Sequence, residues 1–179
     1  MFDGLKRYIG VRMAEFRCRK DIDSPQPLGN FFSEARSMLV ILPFGYDDSI
    51  VAGHALNAIR SRSPRSRLTL LISGIRATPL ADPLSSEVIR IDPPDINAFC
   101  LPTKSLLNRI TQHPYDVAVD LNLDFVLHTP YICRASGARV RVGFARPGME
   151  RYYNVQLQLE RNRTPLALYE KFAEYLAMF

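Results

Sequence analysis

Five short apolar runs constrain this chain more than any other feature. They fall at residues 37–43, 67–73, 87–91, 115–121 and 139–144, and turn-forming residues bound them. The first of them, SMLVILP at 37–43, shows no apolar–polar alternation. A strand with one wet face alternates, whereas a strand covered on both faces reads as a continuous apolar run. Segments with helical spacing lie between the runs. Ile50, Ala55, Leu56 and Ile59 recur over residues 49–60 before Ser63 and Pro64 break the pattern. Further helices are expected at 105–112, at 125–136 despite Pro130, and at 166–179, with Gly137 in a C-cap position after the second of these. Strands alternating with helices specify βαβ units. The expected fold is therefore α/β and Rossmann-like: a mostly parallel sheet of five or more strands with helices on both faces.

At 179 residues the chain suits one domain. It divides into an N-terminal helix and loop (1–36), a core (37–145) and a C-terminal extension with a helix (146–179). Cys18, Cys100 and Cys133 are far apart and odd in number, with no Cys-x-x-Cys pair, which argues against a disulfide framework and a zinc site. His54, His113 and His128 are scattered, so no metal is expected. No apolar run approaches the ~20 residues that span a bilayer, and the N-terminus lacks a signal peptide's apolar stretch. A cytoplasmic location is the expectation.

The net charge of +5 weakly favours an anionic partner. The arginines are dispersed and not interleaved with aromatics, so no nucleic-acid partner is expected. Residues 4–20 read as a basic amphipathic helix with Leu5, Ile9, Met13 and Phe16 near helical spacing. Such a helix can lie on an anionic membrane surface. The expectation is that its apolar stripe packs on its own domain, leaving at most peripheral membrane contact.

Ligands of open parallel sheets bind beyond the carboxyl ends of the strands. That rule points to the loops at 44–49, 74–82, 122–125 and 145–150. None carries Gly-x-Gly-x-x-Gly or a P-loop, so no nucleotide cofactor of the usual kind is expected. The first loop offers a carboxylate pair, Asp47 and Asp48, at a helix N-terminus. One of the two is expected to cap the helix. The other is then free to face the cleft, where an aspartate can serve as general base toward a sugar hydroxyl. Asp120 and Asn122 end the fourth run, either to hydrogen-bond a polar ligand or to make the turn before the next helix.

Three blocks, in order across residues 37–145, carry a resemblance. LVILPFGYDDSIVAGHALNAIR at 39–60, followed by SPRSRLTLLIS at 63–73, resembles the opening of the family 9 glycosyltransferases, the lipopolysaccharide heptosyltransferases. YDVAVDLN at 115–122 and SGARVRVGF at 136–144 are similar to the family's later blocks. The resemblance implies the N-terminal half of a GT-B fold, in which two Rossmann-like domains face each other across a cleft. In that arrangement the first domain holds the acceptor and the second holds the nucleotide sugar. It implies metal-independent, inverting transfer. Counted back from Arg60, Asp48 falls on the family's catalytic aspartate. Asp47 stands where the pattern has glycine, and His54 where it has proline.

The resemblance gives an acceptor-side domain for a sugar or lipopolysaccharide precursor, at the inner face of the membrane. No donor half follows, so the chain alone is expected to be inactive, and a partner chain would have to bring the donor domain. The alternative is a non-catalytic binding or regulatory module on the same scaffold. A phosphoacceptor receiver domain also places an acidic pair near strand one and an aspartate at a later strand end. The long separation of Asp47 from Asp120 argues against it, as does Ala145-Arg146-Pro147 where a lysine would stand.

Overall fold

The five apolar runs become strands β1 (Ser37–Ile41), β2 (Arg67–Ser73), β3 (Ser86–Ile91), β4 (Val117–Asp120) and β5 (Val140–Phe144), joined by a sixth, β6 (Val155–Leu157). The computed structural model describes residues 2–19, 29–74, 86–158, 163–176 and 178. All six strands form one sheet in the order β3-β2-β1-β4-β5-β6, and every neighbouring pair is parallel. β6 escaped the sequence reading because only Val155 and Leu157 of its three residues are apolar and buried. The loop after β2 falls at 75–85, outside the described residues, as does most of the loop expected at 21–30.

The helices are α1 (Phe2–Cys18), α2 (Phe31–Glu34), α3 (Tyr46–Val51), α4 (Gly53–Arg62), α5 (Lys104–Ile110), α6 (His128–Ala135) and α7 (Pro165–Leu176). The single helix expected over 49–60 starts earlier and divides at Ala52. The following glycine weakens the chain's hold on one axis there. Pro130 sits in the first turn of α6, where its missing N–H has no intrahelical acceptor to lose. Gly137 takes φ +72° just after that helix, the left-handed conformation that the C-cap position requires.

Side chains alternate across each strand, so one apolar run feeds two cores. Met38, Val40 and Leu42 join Leu56, Ile59, Tyr169 and Phe172 beneath α2, α4 and α7. Leu39 and Ile41 join Ile132, Cys133, Leu106 and Ala14 beneath α1, α5 and α6. Each such aliphatic side chain contributes about 2 kcal/mol when fully buried.

The expectation for α1 is overturned. Leu5 is 57% exposed and Phe16 74% exposed, and Ile9 is also exposed. The face that docks is the small one, with Gly10, Ala14 and Cys18 buried. Gly10 allows this close approach: a Cβ there would lie 1.9 Å from the Phe99 carbonyl oxygen. Small residues bring the two backbones together, and the large apolar side chains are left on the far side.

Candidate functional site

The sheet order reverses between β1 and β4. Strands to one side are entered after β1, and strands to the other after β4. In open parallel sheets, the crevice beyond the carboxyl ends at this switch point is where ligands bind. Ile41 pairs with Asp120 in register, so the segments that leave β1 and β4 start side by side. Those segments carry Asp47 and Asp48 on one side, and Asn122 and Asp124 on the other.

Gly45, not an aspartate, is the N-cap of α3, and no side chain caps the helix. Asp47 and Asp48 lie two and three residues further in, within the first turn, where the helix dipole favours negative charge. Asp47 is exposed and Asp48 half-buried. The Asp48 carboxylate turns back over Gly45: its Oδ2 lies 3.3 Å from the place a glycine Cβ would take. Burial pushes its carboxyl above the usual carboxylate range, and the charges of Asp124 and Asp47 push it the same way. Asp48 thus holds a proton more readily than a free aspartate does.

Asp120 and Asn122 are 3% and 7% exposed. Their polar atoms are engaged inside the domain. Asp120 Oδ1 accepts from the backbone N–H of Asn122 at 3.0 Å and from its Nδ2 at 2.7 Å. Asp120 Oδ2 accepts from the Tyr153 hydroxyl at 2.7 Å. Asn122 Oδ1 accepts from the Phe44 N–H at 3.0 Å, and its Nδ2 also reaches the Leu42 carbonyl at 3.4 Å. Asn122 is therefore a strap across the switch point, tying the end of β4 to the loop that carries Asp48. Burial with bonded oxygens also leaves Asp120 in no position to accept a phosphoryl group, which removes the receiver-domain layout.

Three residues that no sequence motif singles out for the site complete the frame. Tyr153 holds Asp120, as described. Tyr169 of α7 donates to the Leu121 carbonyl at 2.8 Å, and its hydroxyl lies in the field of Asp48, Asp120 and Asp124. Burial first, and then those charges, raise its pKa. Phe44 meets the His128 ring edge-on, with centroids 5.0 Å apart. The His128 Nε2 is buried without a hydrogen-bond partner among the described residues, and burial lowers its pKa to about 4. No local spacing signals these contacts, because Tyr153 lies 33 and Tyr169 48 residues from their partners.

Among the described residues no group of three or more His, Cys, Asp or Glu could hold a metal ion. None of the described helices is long and apolar enough to cross a membrane.

No protein-family model and no curated protein matches the chain. Solved structures do. A family 9 glycosyl transferase from Veillonella parvula superposes with a TM-score of 0.61 at 19% identity, covering 80% of this chain and 42% of that one. The E. coli heptosyltransferase WaaC with ADP gives 0.55 at 13%, covering 78% and 46%. E. coli ADP-heptose lps heptosyltransferase II gives 0.57 at 16%, covering 76% and 40%. The chain spans less than half the length of each of these proteins. Its fold is the α/β, Rossmann-like fold found in these glycosyltransferase structures, built here on six parallel strands.

Proposed function

We propose that the chain is the acceptor-side domain of a heptosyltransferase-like glycosyltransferase, and that Asp48 is its general base. The observation that carries this reading is the placement of Asp48. A half-buried carboxylate with a raised pKa stands at the sheet's switch point, with Asp124 beside it. A carboxylate that burial and like charges make hold a proton more readily than a free aspartate suits removal of a proton from a sugar hydroxyl.

In the proposed step the acceptor oxygen attacks the anomeric carbon of a nucleotide sugar as Asp48 takes its proton. The bond to the nucleoside diphosphate breaks with inversion, and the diphosphate leaves with the bonding pair. Asp47 and Asp124 flank the acceptor. Asp120 and Asn122 act as positioning residues, through Tyr153 and Phe44. The acceptor would be an inner-core lipopolysaccharide precursor at the cytoplasmic face of the membrane, and the donor an ADP-heptose-like sugar. The donor would be held by a second domain, in further sequence or on a partner chain. Transfer requires both reactants aligned, so these 179 residues alone would bind acceptor without turning it over.

One pair of observations favours a second reading, a non-catalytic binding module. Asp47 stands where the family pattern has glycine, and His54 where it has proline. Ligand-observed NMR with inner-core acceptor sugars and with nucleotide sugars separates the two. Acceptor sugars alone should bind, and Asp48→Asn should leave much of that binding intact. Once a donor domain is supplied, the same substitution should lower transfer by about 10²–10⁴-fold. Binding of neither panel would leave the module reading.

A further inference from the structure

Helix α1 docks by its small face and leaves its large apolar side chains outside. At about 100° per residue, Leu5, Ile9, Met13 and Phe16 fall within one strip about 80° wide. Gly10, Ala14 and Cys18 are buried on the other side, against the domain. Leu5, Ile9 and Phe16 are exposed, and Met13 is half-buried. Tyr8, 63% exposed, borders the strip. Cations stand along both margins: Arg12 and Arg19 on one, Lys6 and Arg17 on the other, all exposed.

Residues 2–19 hold five basic and two acidic side chains. Glu15 lies on the margin, where Arg12 pairs with it at 2.9 Å and Arg151 at 3.5 Å. Arg7 points the other way, donating to the Phe125 carbonyl and stacking over its ring, which pins the helix to the domain. Arg17 touches the Tyr131 hydroxyl at 3.5 Å from its edge position.

We infer that this outward face of α1 docks the domain on an anionic lipid surface. The pattern is that of an interfacial helix: an apolar strip at acyl-chain depth, with cations on both sides at headgroup level. The double margin favours lipid over a second copy of the chain, because pairing two such faces would bring cations against cations. The strip is an apolar one that the other described residues do not cover. Lipid docking rests on α1 alone, so it stands or falls apart from the sugar-acceptor reading.

The test uses the full chain and vesicles of phosphatidylcholine with or without phosphatidylglycerol. The chain lacks tryptophan, so Phe16→Trp gives a single fluorescent reporter on the strip. Its emission should shift to the blue with phosphatidylglycerol vesicles and little with phosphatidylcholine alone, and salt should reverse the shift. In flotation, Ile9→Ser with Phe16→Ser should lose vesicle binding tenfold or more, with an unchanged far-ultraviolet circular dichroism spectrum. Lys6→Gln or Arg19→Gln should each weaken it about fivefold. The inference is overturned if the chain does not float with anionic vesicles, or if the double serine variant floats as well as the parent. It is also overturned if light scattering shows a dimer that the serine variant dissolves.

Discussion

Replacing Asn122 by alanine cuts the strap between the end of β4 and the loop after β1. Two bonds matter. The Phe44 N–H loses its acceptor, and an orphaned N–H costs about 1–3 kcal/mol. The Asp120 carboxylate loses the 2.7 Å bond from Nδ2, and a bond to a charged group is worth about 1.5–3 kcal/mol. The 3.4 Å contact to Leu42 adds little. Phe44 is only partly buried, so water can reach its amide and the first figure belongs at its low end. Together these give a loss of about 2–4 kcal/mol. For a chain of this length that lowers Tm by about 5–15 °C. Urea unfolding followed by circular dichroism measures it, and the midpoint should fall with an unchanged slope. Tyr153→Phe removes the other side-chain donor to Asp120. Because both side chains bond one carboxylate, the double variant should depart from additivity by at least about 0.5 kcal/mol. A loss under about 1 kcal/mol for Asn122→Ala, or strict additivity, would refute the strap.

Burial holds the His128 imidazole near a pKa of about 4, below its unfolded value of 6.5. Stability from this residue is full above pH 6.5 and falls as pH drops through 4, by about 3 kcal/mol. His128→Gln should flatten that part of the urea-midpoint profile, and parallel profiles would exclude the effect. For Asp48 the sign is opposite. Its folded pKa is raised, so stability is present below the unfolded value and lost as pH rises through the folded one. Asp48→Asn should therefore melt above the parent at pH 7, with the gap closing in acid, as read by calorimetry at a series of pH values. Gly10→Ala would set a Cβ against the Phe99 backbone. It should cost about 1–3 kcal/mol and speed proteolysis within α1.

Much of the sheet was legible because strands buried on both faces stand out: the apolar runs of β1 and β2 read directly, and β2 kept its expected bounds. β6 is three residues long and owes its place to β5, not to its own pattern. The direction of α1 was misread for a physical reason. The hydrophobic stripe marks the face with most to gain from burial, but backbone proximity selected Gly10, Ala14 and Cys18 instead. Asp47 and Asp48 could be placed at a helix N-terminus beyond the first strand because motif position follows from the strand before it, whereas the switch point needed the strand order. That Gly45 caps the helix, and that Asp120 and Asn122 bond inward, depended on distant partners. A sequence window around residue 120 contains neither Tyr153 nor Phe44.

The two tyrosines that brace the end of β4 also carry a consequence for synthesis. Tyr153 and Tyr169 leave a ribosome well after the strands they brace, because synthesis runs from the N-terminal side. β1, β2 and β4 can pair while Asp120 still lacks its phenolic donor and Leu121 its hydroxyl partner. Before α7 arrives, the core under α4 also lacks Tyr169 and Phe172. The nascent sheet therefore has its framework early and its crevice late. Ligand competence of the proposed site should appear only when α7 docks, and chains stalled before residue 169 should expose apolar surface to chaperones.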